Sequence, residues 1–286
     1  MKIILTGLTF SILWASASIA GKFGLRSAEP LVLFSIRFLA AGGILLILST
    51  YIRKERNPKG AEWKHLTIFG AFNTTLYLGI FIIALQYITA GITALAIALN
   101  PVLISIMSAI IMKRETKRDE WISITLGMLG VATASYPLLK EEQISLTGLG
   151  LLILSMIAYS YGAVYYSSVK WTLSRMMING WQVFIGGLLL IPFTLLFYKG
   201  TTQFNSNLLF SLMWLIIPVS ILSIQLWLRL LKADAVKASL WLFLCPVFGI
   251  TFSTILLDEP FNLYTLAGGM LVIGALYIGQ RNKLIA

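Results

Sequence analysis

Charge is scarce in this chain: 12% of its 286 residues are Asp, Glu, Lys or Arg, against 58% that are apolar. A water-soluble domain carries about twice that share of charge, so an ordinary soluble globule is excluded and the bilayer is the expected solvent. Cysteine is reduced to Cys245, which removes a disulfide framework, a thiolate zinc site and a CxxC redox pair. Histidine is reduced to His65, at the edge of an apolar run, and no Asp or Glu falls deep inside one. Prenyl or phosphoryl transfer would need clustered acidic metal ligands, and a proton relay would need an acid inside a span. Glu115, Asp119 and Glu120 stand among four basic residues and read as a solvated loop. No residue set asks for a metal or a cofactor.

What is abundant is uninterrupted apolar sequence. Runs without charge cover 3–21, 38–52, 66–112, 121–139, 143–169, 176–198, 200–228, 238–257 and 260–280. A helix of about 20 residues crosses the hydrocarbon, so 66–112 must hold two spans, broken near Tyr87 to Gly91. The run 38–52 reaches span length by extending back through Arg37 to Pro30. An all-α integral membrane protein of ten transmembrane helices is expected. Met1-Lys2 and the apolar run to Ser18-Ile19-Ala20 have the outline of a cleaved signal peptide, but this segment is read as the first span because it completes a repeat. The net charge of +11 would suggest nucleic acid on a soluble surface; spread over membrane connectors it does not, and no nucleic-acid partner is expected. With the N-terminus inside, seventeen of the 22 Lys and Arg fall on the cytoplasmic side, Arg53, Lys54, Arg114 and Lys117 among them. Lys22, Arg26, Lys140 and Lys199 fall outside, and Arg37 stays within a span. This bias predicts a multi-pass protein of the cell (inner) membrane with both termini cytoplasmic.

Sliding the chain against itself by 144 or 145 residues aligns Gly42-Gly43-Ile44-Leu45-Leu46-Ile47 with Gly186-Gly187-Leu188-Leu189-Leu190-Ile191, Trp14 with Tyr159, Pro101 with Pro246 and Glu115 with Glu259. The predicted halves are 1–140 and 141–286, each of five spans. An odd number makes the second copy enter from the opposite face, so the repeat is inverted. Connector charge agrees: the uncharged stretch from Ala84 to Gly91 aligns with Arg-Leu-Leu-Lys-Ala-Asp-Ala-Val at 229–236. Connectors are short throughout, so function must lie between the helices, in contact with lipid outside and a small-molecule substrate within.

Trp14-Ala15-Ser16-Ala17-Ser18, Lys22, Pro30 and Arg37-Phe38-Leu39-Ala40 resemble the first two helices of EamA-type members of the drug/metabolite transporter superfamily. Leu99-Asn100-Pro101-Val102, Lys113-Arg114-Glu115, Gly127 and Gly130 resemble the fourth and fifth helices of that module. Cys245-Pro246-Val247, Asp258-Glu259-Pro260 and Gly268-Gly269 resemble its second copy. The resemblance spans the chain and implies a central cavity between two inverted five-helix repeats and export of small metabolites such as amino acids. Export of lipophilic or cationic drugs is the alternative within that class, and a non-transporting sensor or a membrane enzyme is the alternative outside it.

A proline inside a helix displaces the carbonyl four residues earlier, here Ile97 for Pro101 and Leu242 for Pro246, so both are expected as helix breaks serving gating or substrate contact. Arg37 is the one charge inside a span, at a cost of about 2.5–3.5 kcal/mol on insertion scales. It either meets an anion such as a substrate carboxylate or snorkels towards Glu29 or water. Trp14, Asn73, Tyr77, Asn100, Tyr159, Gln225 and Trp241 complete the expected cavity lining, Asn73 and Tyr77 sharing a helix face; for each, interhelical packing is the competing reading. Trp63, Trp121, Trp171 and Trp181 are expected as interface anchors. Small residues at Ser123, Gly127, Gly130, Ala267, Gly268, Gly269 and Gly274 predict close helix packing, compatible with a monomer or a homodimer. The lack of buried acids favours facilitated or exchange transport over proton coupling.

Overall fold

The computed structural model describes residues 2–84, 87–88, 90–139, 145–257 and 263–284, so Lys140 and the motif Asp258-Glu259-Pro260 lie outside the described residues. The described chain is helical, with no strand. Ten helices follow one another: α1 (Lys2–Gly24), α2 (Pro30–Ile52), α3 (Ala61–Ala84), α4 (Ala90–Ala98 and Asn100–Met112), α5 (Arg118–Leu139), α6 (Leu146–Ser168), α7 (Arg175–Leu196), α8 (Ser206–Ala233), α9 (Ala235–Ser239 through Leu244–Leu257) and α10 (Leu263–Leu284). Among the described residues nine are long and apolar enough to cross a membrane; α5, 22 residues long, lies along α10 as the tenth. Starts follow local chemistry. Pro30 opens α2, where its missing N–H costs nothing. Ser145, Ser174, Asn205 and Asp234 each accept a first-turn N–H at the start of α6, α7, α8 and α9.

Short connectors make successive helices antiparallel, and five helices per half set α6 running opposite to α1. Lipid gives apolar helices no reason to prefer one another, so contacts are made where backbones approach closely. A methyl group added at Gly42 on α2 would stand 2.6–2.8 Å from Phe184 on α7. One added at Gly268 on α10 would collide with the Gly130 carbonyl on α5. The Ser123 hydroxyl donates to the Ala275 carbonyl at 2.7 Å along the same seam. Gly130 and Gly268 are thus used within one chain.

Four of the five irregular stretches among the described residues form two pairs, the fifth being a π-helical end to α2 at Leu48–Ile52. α4 is interrupted at Leu99, just before Pro101, and α9 carries a 3₁₀ turn at Leu240–Phe243, just before Pro246. α3 widens into a π-helical stretch at Ala71–Leu76 and α8 does so at Leu215–Ser223, the same place in each half under the 144-residue offset. A π turn shifts carbonyls out of register and recurs at functional sites.

Candidate functional site

The site is built from the helix centres. Phe10 and Trp14 on α1, Trp227 on α8, Tyr159 on α6 and Tyr77 on α3 form one aromatic column. Phe10 lies 5.8 Å from Trp14 and 4.9 Å from Trp227; Trp227 lies 5.9 Å from Tyr159, and Tyr159 4.6 Å from Tyr77. Two of these pairs are stacked, at 18° and 12°, and each such pair contributes about 0.5–1.5 kcal/mol beyond its buried area. The sequence-aligned residues Trp14 and Tyr159 therefore belong to one column, joined through Phe10 and Trp227, which sequence reasoning did not single out. Trp227 is 1% exposed, closing an unbroken apolar run that carried no signal of its own.

Arg37 stands beside the Tyr77 end. It is 3% exposed, its Nε donates to the Ser220 hydroxyl at 2.8 Å, and its guanidinium lies over the Phe34 and Phe38 rings at 5.3 and 5.2 Å. It is within electrostatic reach of Tyr77, which in turn reaches Cys245. Arg37 does not snorkel. Glu29 is occupied elsewhere, accepting from the Lys199 and Thr201 backbone N–H groups at 2.9 Å and from the Thr201 hydroxyl. Those N–H groups, Lys199 first, hold its carboxyl below the usual carboxylate range.

From Arg37 a buried polar network runs across both halves. Asn179 on α7 donates to the Ser220 carbonyl at 3.1 Å, and Gln182 donates to Asn179 Oδ1 at 3.1 Å. The Thr74 hydroxyl and Asn73 Nδ2 on α3 donate to Gln182 Oε1 at 2.9 and 3.3 Å, and the Thr75 hydroxyl donates to the Gly186 carbonyl. Asn73 is the one member read from sequence besides Arg37. Asn179 and Gln182, three residues apart on one face of α7, were the signal overlooked. Asn73 Oδ1, Tyr159 Oη and Trp227 Nε1 remain buried without a hydrogen-bond partner, as few buried polar atoms in a folded protein do.

The other expected residues lie around this centre. Asn100, 1% exposed, donates to Met156 Sδ and accepts from Ser160, tying the α4 break to α6. Trp241 is buried against Gly7 on α1, and its carbonyl shares the Ser11 hydroxyl with Gly7; this is the carbonyl beside the Pro246 break that finds a side-chain partner on another helix. Gln225 is turned away from the column and donates to the Arg175 carbonyl. Pro101 and Pro246 are buried.

The lysine- and arginine-rich face is tied across the halves. Arg114 pairs with both oxygens of Glu120 at 2.7 Å and with Asp234 at 2.8 Å; Glu120 first, then Asp234, raises its pKa. Glu120 is 1% exposed and not part of a solvated loop, because its carboxylate also accepts the Lys117 N–H. Arg56 pairs with Glu62 at 2.6 Å and bonds Thr172, and Ser174 donates to Glu55. Trp63 and Trp121 are exposed near this face, Trp63 edge-on to Trp181, and Trp171 donates to the Tyr166 carbonyl. No group of three His, Cys, Asp or Glu side chains among the described residues could hold a metal.

A family model described as the EamA-like transporter family matches residues 1–136 and again 146–279. The chain belongs to the EamA-like transporter family. An uncharacterized transporter of Archaeoglobus fulgidus is 26% identical over 93% of each chain. A probable amino-acid metabolite efflux pump of Salmonella typhimurium is 22% identical over 93% of this chain and 91% of its own. A crystal structure at 17% identity superposes with a TM-score of 0.80 over 99% of this chain and 98% of that one, which establishes the fold. Family membership makes this EamA-like protein a multi-pass membrane transporter of a small molecule.

Proposed function

We propose that this protein exports small metabolites such as amino acids by alternating access, its halves 1–140 and 141–286 rocking about the centre of the bundle. It acts in the cell membrane with its basic face and both termini in the cytoplasm, and without enzymatic turnover. The observation that carries this reading is the polar network from Arg37 through Ser220, Asn179 and Gln182 to Thr74. It joins the π-helical stretches of both halves at mid-depth, where a carrier needs irregular backbone beside its site. The Salmonella relative named as an amino-acid metabolite efflux pump supports the substrate class. The aromatic column favours lipophilic cations as a second reading, but a buried guanidinium beside it repels them. The one buried acid described on these helices, Glu120, lies in the first turn of α5 and is held by Arg114, so with no acid at mid-span transport is facilitated or exchanging. Reconstituted protein should catalyse saturable counterflow of an amino acid, with a rate independent of an imposed pH gradient. Strict dependence on the gradient rules out the uncoupled form, and absence of counterflow rules out the carrier.

A further inference from the structure

We infer that Arg37, Tyr77 and Tyr159 form a carboxylate subsite, and that the substrate class it selects is the amphipathic monocarboxylate. The inference rests on the transport reading and names what that site holds. Arg37 has spent only Nε, on Ser220. Its two terminal amino groups form a fork that matches a carboxylate, and no described residue offers them an acceptor or an opposite charge. The rings of Phe34 and Phe38 steady the guanidinium without neutralising it. Tyr77 interacts with it electrostatically and packs at 4.6 Å on Tyr159, whose hydroxyl is buried without a partner. A cation with no anion and an O–H with no acceptor are satisfied together by one carboxylate. The column of Tyr159, Trp227 and Phe10, stacked on one another, makes the apolar side of the same place for the rest of the molecule. An amine without a carboxylate meets only repulsion, and a small inorganic anion gains nothing from the apolar side.

The test uses purified full-length protein and three probes of one skeleton, 3-phenylpropanoate, L-phenylalanine and phenethylamine, with chloride at equal ionic strength. Thermal shift and counterflow are read on wild type, Arg37→Gln, Arg37→Lys and Tyr159→Phe. Both carboxylates should raise the melting temperature of wild type, and phenethylamine and chloride should not. Carboxylate affinity should fall at least tenfold in Arg37→Gln and a few-fold in Tyr159→Phe. Arg37→Lys, which keeps the charge and loses the fork, should bind several-fold more weakly and serves where Arg37→Gln does not fold. Equal stabilisation by phenethylamine or chloride, or unchanged carboxylate affinity in the Arg37 variants, overturns the subsite. Amino-acid counterflow that survives in Arg37→Gln overturns the subsite and leaves transport standing. Arg37-dependent binding without counterflow supports the subsite and overturns transport.

Discussion

The two pairs of irregular helices differ in how they are held. The breaks in α4 and α9 sit beside prolines and are imposed from within, since the ring removes a donor and crowds the preceding turn wherever the segment is placed. The π-helical stretch of α3 contains nothing that removes a donor, only Asn73, Thr74 and Thr75, whereas that of α8 holds Pro218 beside Ser220. Both are also bonded to α7, which offers Gln182 to α3 and Asn179 to α8. The proline-marked irregularities are properties of their own segments and that of α3 is a property of its neighbour, so they should respond to different substitutions.

The largest loss is expected at Ser220→Ala, which strips the Arg37 guanidinium of its one hydrogen bond while leaving it buried. A bond to a charged group contributes about 1.5–3 kcal/mol, to be read as a lowered unfolding midpoint in detergent. Gln182→Leu should follow, at about 1–3 kcal/mol, because Thr74 and Asn73 Nδ2 lose their acceptor in a dry interior. Amide exchange at 71–76 should rise in that variant and that at 97–101 should not. If both segments respond equally, the distinction between self-imposed and neighbour-imposed irregularity fails. The pair Pro101→Ala and Pro246→Ala should change stability by no more than about 1 kcal/mol, since the freed carbonyls regain donors, while slowing counterflow. The smallest effect concerns the face opposite the basic one. The pKa of Glu29 is depressed in the folded state, so its contribution is present above the ordinary carboxylate pKa and is lost as pH falls through the depressed value. Protease access to 199–203 should increase only at acid pH, and Glu29→Gln should show it at neutral pH.

The same contrast explains what could be read in advance. Ten helices, their ends within a few residues, and both proline breaks followed from apolar run length, from Pro101 and Pro246, and from the sliding alignment, all of which are local or periodic signals. Arg37, Tyr77 and Tyr159 stood out as residues whose chemistry conflicts with lipid, and Tyr77 packs on Tyr159 at 4.6 Å. Asn179 escaped notice because it lies near the end of a predicted span, where an amide is unremarked, and Gln182 one turn further in. Trp227 and Phe10 escaped because an aromatic in an apolar run carries no mark of which neighbour it faces. Glu120 was misplaced for the opposite reason: the surrounding basic residues suggested solvent, whereas Arg114 folds back to neutralise it. Partner choice across helices is a three-dimensional fact, and one chain written out in order does not contain it in local form.

Arg114 is held unequally by its two acids. Glu120 belongs to its own half and grips it with both oxygens, whereas Asp234 belongs to the other half and contributes one. Parting the halves at this face would cost the second contact and leave the first intact, so no bare cation is created when the seam opens. The clasp keeps its pin on one leaf, and the work of undoing it is confined to a partly solvated pair that added salt weakens.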